Sequence, residues 1–295
     1  MSPTSAVIPP DRLVVSVDHR RAALVDVIRN ADRQLTVSLF RANDDAVFTE
    51  LTAAVDRGVS VEVLTTSRAK GGRTKLEKLW SALERTGADV KAYTDPVVKY
   101  HAKYLVADDG PAVVTSMNLT RKCLGKTLDA VVVTHDPAVV SGLRRLMAAD
   151  SSGVPMPGDL SDRLIVGPER ARKQFTALIE QARTSIRLID AKLSDPDLRS
   201  LLKARRASGL RVEIFDGTRV GGRKSHGKIM LIDDARVVVG SLALAAISLD
   251  FRREVALVVD EPSAVAEAVE LFRTLTGDSA DAGAAATGAV NGASC

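Results

Sequence analysis

Aromatic residues and cysteines are both scarce in this 295-residue sequence. Aromatic side chains make up 3% of it and Trp80 is the only tryptophan, so few side chains could anchor in a membrane interface or stack on nucleic-acid bases. The two cysteines, Cys123 and Cys295, are too few for a disulfide framework or a cysteine-rich metal site. Both thiols are therefore predicted to be reduced.

Long apolar runs are also missing. The longest, such as VALVV at 255–259, fall far short of the ~20 residues that a membrane-spanning helix needs. The N-terminal residues 1–13 lack the basic and continuous apolar regions of a secretory signal. These absences predict a cytoplasmic protein without a transmembrane segment. Lysine plus arginine exceed aspartate plus glutamate by 41 − 37 = 4, a mild positive charge that suits a phosphate-bearing partner.

The chain contains an internal repeat. LTVSLF at 35–40 matches IRLIDA at 186–191, and RGVSVEVL at 57–64 matches SGLRVEIF at 208–215, both with an offset of 151. In each half an amphipathic stretch precedes the first apolar strand, and a second one links that strand to the next. This α-β-α-β order predicts an α/β sandwich in each half, with a mixed, largely parallel sheet.

A second pair of matching segments has a different offset. YHAKYLVADDGPAVVTSMNL, from Tyr100, matches SHGKIMLIDDARVVVGSLAL, from Ser225, with an offset of 226 − 101 = 125. The first half therefore carries 151 − 125 = 26 extra residues between Leu64 and His101, which predict an additional helix and a short strand. The sequence as a whole predicts a first lobe at 1–150, a linker at 151–161, a second lobe at 162–276 and a disordered tail at 277–295.

The second pair of segments carries the residues that indicate chemistry. Each copy has a histidine, a lysine two residues later and an aspartate five residues after the lysine, and residues i and i+2 of a strand share a face. Two halves meeting about a pseudo-two-fold axis would bring both histidines and both lysines into one pocket, where the lysines could hold phosphate oxygens. The members are His101, Lys103 and Asp108 in the first copy and His226, Lys228 and Asp233 in the second.

This doubled His-x-Lys-x4-Asp motif, each copy followed by a variant of Gly-Ser-x-Asn, resembles the signature of the phospholipase D superfamily. The resemblance implies two phospholipase D-like repeats joined about a pseudo-two-fold axis. It also implies that one histidine attacks phosphorus to form a phosphohistidine while the other protonates the leaving oxygen, without a metal or another cofactor. His101 is predicted to be the nucleophile, because its copy retains Asn118, and the reverse assignment stays open. Since one chain holds both motifs, a monomer would suffice.

A nucleophilic imidazole needs a carboxylate on its other nitrogen to hold its tautomer and orientation. Asp129 and Glu254 each lie 28 residues after the histidine of their own repeat. The sequence predicts that each carboxylate orients the histidine of its own half. Asp108 and Asp233 are expected to have structural roles at the turn after the motif strand.

Four other residues are predicted to contact substrate. Ser116 and Ser241 belong to the Gly-Ser-x-Asn segments, and Arg73 and Arg223 lie in or beside the glycine-rich basic loops AKGGRTK and VGGRK. For the arginines, a solvated turn is about as well supported as a phosphate-guiding role. In the second copy Ala243 replaces the asparagine, which removes a hydrogen-bond donor and weakens the expected activity.

The substrate class stays open between phospholipid and nucleic acid. The stretch RLIVGPERARKQFTALIEQARTSIRLIDAKLSD resembles the soluble, cardiolipin-synthase-like branch of the superfamily, which favours hydrolysis or phosphatidyl transfer on a phospholipid, with peripheral membrane contact. The mild positive charge keeps a metal-independent nuclease as the close alternative. A catalytically weakened phosphate-binding module is the third hypothesis, because of Ala243.

Overall fold

The computed structural model describes residues 8–68 and 72–276 of the chain. The predicted tail at 277–295 and part of the first glycine-rich loop lie outside the described residues. Among the described helices, none is both long enough and apolar enough to cross a membrane.

The first half alternates strands with helices and contains the predicted additional helix and strand. Its elements are β1 (Arg12–Val14), α1 (Val17–Arg29), β2 (Gln34–Ser38), α2 (Asp45–Asp56), β3 (Ser60–Thr66), α3 (Arg73–Glu84), β4 (Asp89–Tyr93), β5 (Lys99–Tyr100), β6 (Tyr104–Ala107), β7 (Ala112–Thr115), α4 (Arg121–Lys126), β8 (Thr127–Leu128), β9 (Val131–Thr134) and α5 (Pro137–Ser152). The 26-residue difference between the halves is thus occupied by α3 and β4.

The second half repeats this order without the inserted helix. Its elements are β10 (Leu164–Gly167), α6 (Ala171–Gln181), β11 (Ser185–Ile189), α7 (Pro196–Ala207), β12 (Arg211–Phe215), β13 (Arg219–Val220), β14 (Arg223–Ser225), β15 (Ile229–Ile232), β16 (Arg236–Gly240), α8 (Ala246–Phe251), β17 (Arg252–Val259) and α9 (Pro262–Thr276). Proline opens α5, α7 and α9, where its missing N–H costs no helical hydrogen bond.

Each half builds its own mixed sheet, which confirms the predicted α/β class. The strand order is β1-β9-β7-β6-β2-β3-β4 in the first sheet and β10-β17-β16-β15-β11-β12 in the second. The expectation that parallel pairs predominate is wrong: only β2, β3 and β4, and β11 with β12, pair in parallel along these orders. The cause is the hairpin after each motif, because a connection of a few residues can join only antiparallel strands.

The two sheets share a hydrophobic core. It combines first-half residues such as Tyr104, Val114 and Val132 with second-half residues such as Leu231 and Val255, all of them buried. Two further clusters fill the outer faces of the sheets. The lobe boundaries at 150 and 162 stay predictions; α5 runs to Ser152 and β10 begins at Leu164.

Asp108 holds the hairpin after β6 against the start of β2. Its carboxylate accepts hydrogen bonds from the backbone N–H groups of Asp32 (2.8 Å), Arg33 (2.8 Å) and Gln34 (3.0 Å). Burial alone would raise the pKa of this carboxyl group, but the three N–H donors outweigh burial and lower it. Asp233 accepts bonds from the equivalent segment of the second half, at 183–185.

We expect Asp108→Ala to lower the free energy of unfolding by about 2–3 kcal/mol, because it leaves three backbone donors without their charged acceptor. The difference in free energy of unfolding between the wild type and the variant should be complete at neutral pH. It should vanish as the pH falls through the lowered pKa of Asp108, because the wild-type carboxylate is then protonated as well. Urea denaturation measures both effects. Asp109→Ala is the matched control, since the Asp109 side chain is 85% exposed and pairs only with Arg33 at the surface. Equal losses in the two variants would contradict the structural role.

Candidate active site

Each motif histidine follows a short strand that pairs with the opposite half. Strand β5, before His101, pairs in parallel with the start of β17. Strand β14, before His226, pairs in parallel with β8. The His101 N–H donates to the carbonyl of Arg253 at 2.8 Å, and the Gly227 N–H donates to the carbonyl of Leu128 at 2.7 Å. Each histidine is therefore fixed beside the strand end that carries the other half's acidic residue.

The two carboxylates are exchanged between the halves. Nδ1 of His226 is hydrogen bonded to Oδ1 of Asp129 at 3.0 Å. Nδ1 of His101 lies 2.6 Å from Oε1 of Glu254, at ion-pair distance but without the alignment of a hydrogen bond. The prediction that each carboxylate orients the histidine of its own half is therefore wrong. The spacing of 28 residues correctly identifies the equivalent acid of each repeat. Which histidine each acid contacts is instead set by the strand pairing between the halves.

Both carboxylates are fully buried and held by hydroxyl groups. Ser116 donates to Oδ1 of Asp129 at 2.8 Å, and Thr127 donates to Oδ2 at 2.5 Å. Burial alone would raise the pKa of Asp129, but hydrogen bonds from His226, Thr127 and Ser116 lower it, so this group is ionised. In the second half, Ser248 donates to Oε2 of Glu254 at 2.5 Å. Here burial prevails and raises the pKa of Glu254.

Neither motif serine belongs to the lining of the cleft that holds the two histidines. Ser116 is 1% exposed and bonds Asp129, while Ser241 is 1% exposed and lies 3.4 Å from the carbonyl of Val255. Both serines therefore have partners within the protein, and their predicted contact with substrate stays a prediction. Thr127 and Ser248, which donate hydrogen bonds to the two carboxylates, were not predicted from the sequence. The one sequence feature at these positions was that Ser248 is equivalent to Cys123 in the repeat.

Both motif lysines are buried beside their histidines. Nζ of Lys103 donates to the carbonyl of His101 at 2.6 Å and lies 3.1 Å from its Nδ1. Nζ of Lys228 donates to the carbonyl of His226. Lys103 therefore lies beside the imidazole of its histidine, whereas the bond of Lys228 is to the backbone of His226. Burial lowers the pKa of Lys103 to about 7, so its charge changes near neutral pH.

The two histidines open into one cleft of about 750 Å³. Asn118 lines it, with its Oδ1 buried and without a hydrogen bond. Phe40 also lines it and packs on the His101 ring, with ring centroids 4.6 Å apart. Among the lining residues, which are all described, several have cationic side chains and none has an acidic one. The cationic residues are Arg41, Arg68, Lys99, Lys192 and Arg252.

These cations were missed by the sequence reasoning, although one signal was present. Arg41 and Lys192 occupy equivalent positions in the repeat, since 41 + 151 = 192, three residues after the ends of β2 and β11. Burial, together with Lys228 and Arg252, lowers the pKa of Lys192, which reflects the concentration of positive charge. The predicted arginines lie elsewhere: Arg73 pairs with Glu77 on α3, and neither it nor Arg223 lines the cleft.

One group of side chains has donor atoms close enough to hold a metal ion. These atoms, from Cys123, Asp129 and His226, lie within 4.8 Å of one another. The group fits a cation poorly, because both carboxylate oxygens of Asp129 already accept hydrogen bonds. The buried guanidinium of Arg20 adds positive charge, since it donates to the carbonyl of Thr127 at 2.8 Å and is attracted to Asp129. The arrangement instead suits a hydrogen-bonded support for His226.

The first half of the chain is similar to a known protein family. Residues 24–151 match the family model described as the PLD-like domain of cardiolipin synthase. The matched residues include the first His-x-Lys-x4-Asp motif, with His101, Lys103 and Asp108. Cardiolipin synthase A of Pseudomonas aeruginosa is 29% identical over 127 residues, which are 43% of this chain and 26% of that enzyme. The chain thus matches about a quarter of the length of this curated relative.

Two solved structures are similar in fold to this chain. Polyphosphate kinase from Porphyromonas gingivalis superposes with a TM-score of 0.72 at 20% identity, over 89% of this chain and 46% of the kinase. Phosphatidylserine synthase from Haemophilus influenzae Rd KW20 superposes with a TM-score of 0.67 at 12% identity, over 90% of this chain and 85% of that enzyme. At these identities the likeness concerns the fold alone.

We expect the cleft to bind sulfate, and to bind it more weakly as the pH rises through about 7, where Lys103 loses its charge. Sulfate itself does not titrate in this range, so calorimetry at several pH values reports the protein. Loss of one charge-assisted hydrogen bond should weaken binding about tenfold or more. Lys103→Arg should remove most of the pH dependence, and Lys203→Arg, an exposed lysine on α7, should keep it. Persistence of the full dependence in Lys103→Arg would assign it to another group.

Proposed function

We propose that this protein cleaves or transfers a phosphodiester through a covalent phosphohistidine, with a phospholipid as the favoured substrate. The observation that carries the proposal is the pair of imidazoles in one cationic cleft, each with Nδ1 beside a buried carboxylate. This arrangement leaves Nε2 of each ring as the atom available for chemistry. One ring can attack while the other transfers a proton.

His101 is the nucleophile in this proposal. Burial, together with Lys103, Arg252, Lys192 and Lys228, holds its pKa well below the ordinary value, so the imidazole is neutral at neutral pH. A neutral ring whose Nδ1 carries the proton, beside Glu254, has a lone pair on Nε2. Attack by Nε2 forms a P–N bond and breaks the bond from phosphorus to the leaving oxygen.

His226 is the general acid and then the general base. The ionised carboxylate of Asp129 at its Nδ1 stabilises the imidazolium, whose Nε2–H protonates the leaving alkoxide. The neutral ring then takes a proton from water or an acceptor alcohol, whose oxygen attacks phosphorus and breaks the P–N bond. His101 is released in its neutral form, and no proton is gained or lost by the protein over the cycle.

Lys103, Lys228 and Asn118 are proposed to hold the non-bridging oxygens as charge builds on them. The second half lacks the matching side-chain amide, because alanine stands at position 243; the Ala243 backbone N–H donates to Ser248 at 3.1 Å and its carbonyl accepts from Ala245 at 2.8 Å. This asymmetry supports attack in the first half. It also sustains the alternative of a weakened, phosphate-binding module.

The substrate preference rests on two observations. A curated relative that is 29% identical over 127 residues is a cardiolipin synthase, and the apolar Ile247 lines the cleft beside its cationic residues. A nuclease is the second candidate, because the same cations would suit a nucleic-acid backbone. Aromatic platforms for base stacking remain few.

We expect the wild-type protein, in chelator, to release or transfer the headgroup of labelled phosphatidylglycerol, and to leave single- and double-stranded DNA intact. His101→Ala should lower the rate by about 10²–10⁴-fold, because it removes the nucleophile. His19→Ala, at an exposed position on α1, should match the wild type. Mass spectrometry of acid-free quenched reactions should locate an adduct on His101.

The other outcomes separate the hypotheses. Cleavage of DNA but not of lipid, lost in His101→Ala, would replace the lipid proposal with a nuclease. Phosphate binding without turnover of either substrate at high protein concentration would indicate the binding module. An unchanged lipid rate in His101→Ala would overturn the phosphohistidine assignment.

A further inference from the structure

We propose that the mouth of the cleft docks onto an anionic phospholipid surface through three exposed apolar side chains, Val97, Ile247 and Phe251, here called the rim patch. The inference rests on the proposed function and deepens it, because it states how a lipid phosphodiester would reach the histidines. Its basis is the position and exposure of these side chains together with the cations beside them.

Two members of the rim patch lie on α8. Ile247 is 48% exposed and Phe251 is 52% exposed. They are four residues apart, so they lie on the same face of the helix, and Ile247 also lines the cleft. The opposite face is fixed by Leu249, which is fully buried, and by Ser248, which bonds Glu254. The exposed face therefore cannot turn inward without disturbing the support of a catalytic carboxylate.

Val97 joins the patch through the pairing between the halves. It is 65% exposed and lies two residues before Lys99, which pairs with Arg252 in the register of β5 and β17. Phe251 directly precedes Arg252. The segment that carries Val97 is thereby placed beside the end of α8. The adjacent carbonyl of Pro96 accepts a hydrogen bond from the cleft residue Arg68 at 2.9 Å.

Cations flank the rim patch on the cleft side. Lys99 and Arg252 adjoin Val97 and Phe251 in sequence, and both line the cleft together with Lys192. Exposed aliphatic and aromatic side chains beside lysine and arginine are the combination that binds the interface of an anionic membrane. A nucleic acid would use the cations but would gain nothing from aliphatic side chains, so the composition of the rim favours lipid.

The low aromatic content of the whole chain gives no sign of an interfacial anchor. The structure exposes one phenylalanine at the mouth of the cleft. Phe251 suits a membrane interface because of its position, although aromatic residues are few in the chain. Its ring can enter the acyl region while the guanidinium of the adjacent Arg252 stays near the headgroups.

The test compares vesicle binding of Val97→Ser/Phe251→Ser with that of Ile8→Ser/Val154→Ser, a control pair of similar exposure, 55% and 54%, outside the patch. Binding is measured by co-sedimentation with phosphatidylglycerol vesicles and with phosphatidylcholine vesicles. The rim variant should bind phosphatidylglycerol vesicles about tenfold more weakly, because two apolar side chains no longer insert. The control should bind like the wild type, and all three proteins should prefer phosphatidylglycerol.

A second measurement distinguishes membrane docking from catalysis. Turnover of a short-chain phosphatidylglycerol, dissolved below its micelle concentration, should be the same in the rim variant and the wild type, since neither Val97 nor Phe251 lines the cleft. Unchanged vesicle binding in the rim variant, or equal weakening in the control, would overturn the rim patch as the docking surface. No turnover of the dissolved lipid by the wild type, with vesicle binding still dependent on the rim, would instead overturn the proposed function.

Discussion

The exchange of carboxylates between the halves is the constraint on which the site depends. Two short parallel strand pairs, β5 with β17 and β8 with β14, place each histidine beside an acid of the opposite half. Neither half alone contains a histidine together with the carboxylate that orients it. The shared core supplies the rigidity that this geometry needs, because a buried carboxylate is useful only where its partner ring is held close by.

The exchange also accounts for the asymmetry of the site. Asp129 receives two hydroxyl groups and an aligned ring nitrogen, and its pKa is lowered; Glu254 receives one hydroxyl group, and burial raises its pKa. The better-stabilised anion therefore lies beside His226, which is proposed to carry a positive charge during turnover. His101, kept neutral by burial and by surrounding cations, suits attack on phosphorus.

The sequence alone was sufficient for what depends on local pattern. The doubled motif located His101 and His226, and the change of offset located α3 and β4. The expectation that each histidine and its lysine lie on a strand was wrong, because residues 101–103 and 226–228 lie between strands. Features set by contacts between distant segments were not accessible. Pairing between elements far apart in the chain determines three such features. They are the partner of Asp129, the antiparallel direction of most strand pairs, and the positions of Arg68 and Lys99 at the cleft.

The most direct test of the exchanged carboxylates is the ring-nitrogen NMR spectrum of protein labelled with ¹⁵N-histidine, which has only four histidines to assign. Asp129→Asn should change the tautomer and ¹⁵N shifts of His226 and leave those of His101 in place, whereas Glu254→Gln should do the reverse. If each substitution instead perturbed the histidine of its own half, the exchange between the halves, and the division of labour built on it, would be contradicted.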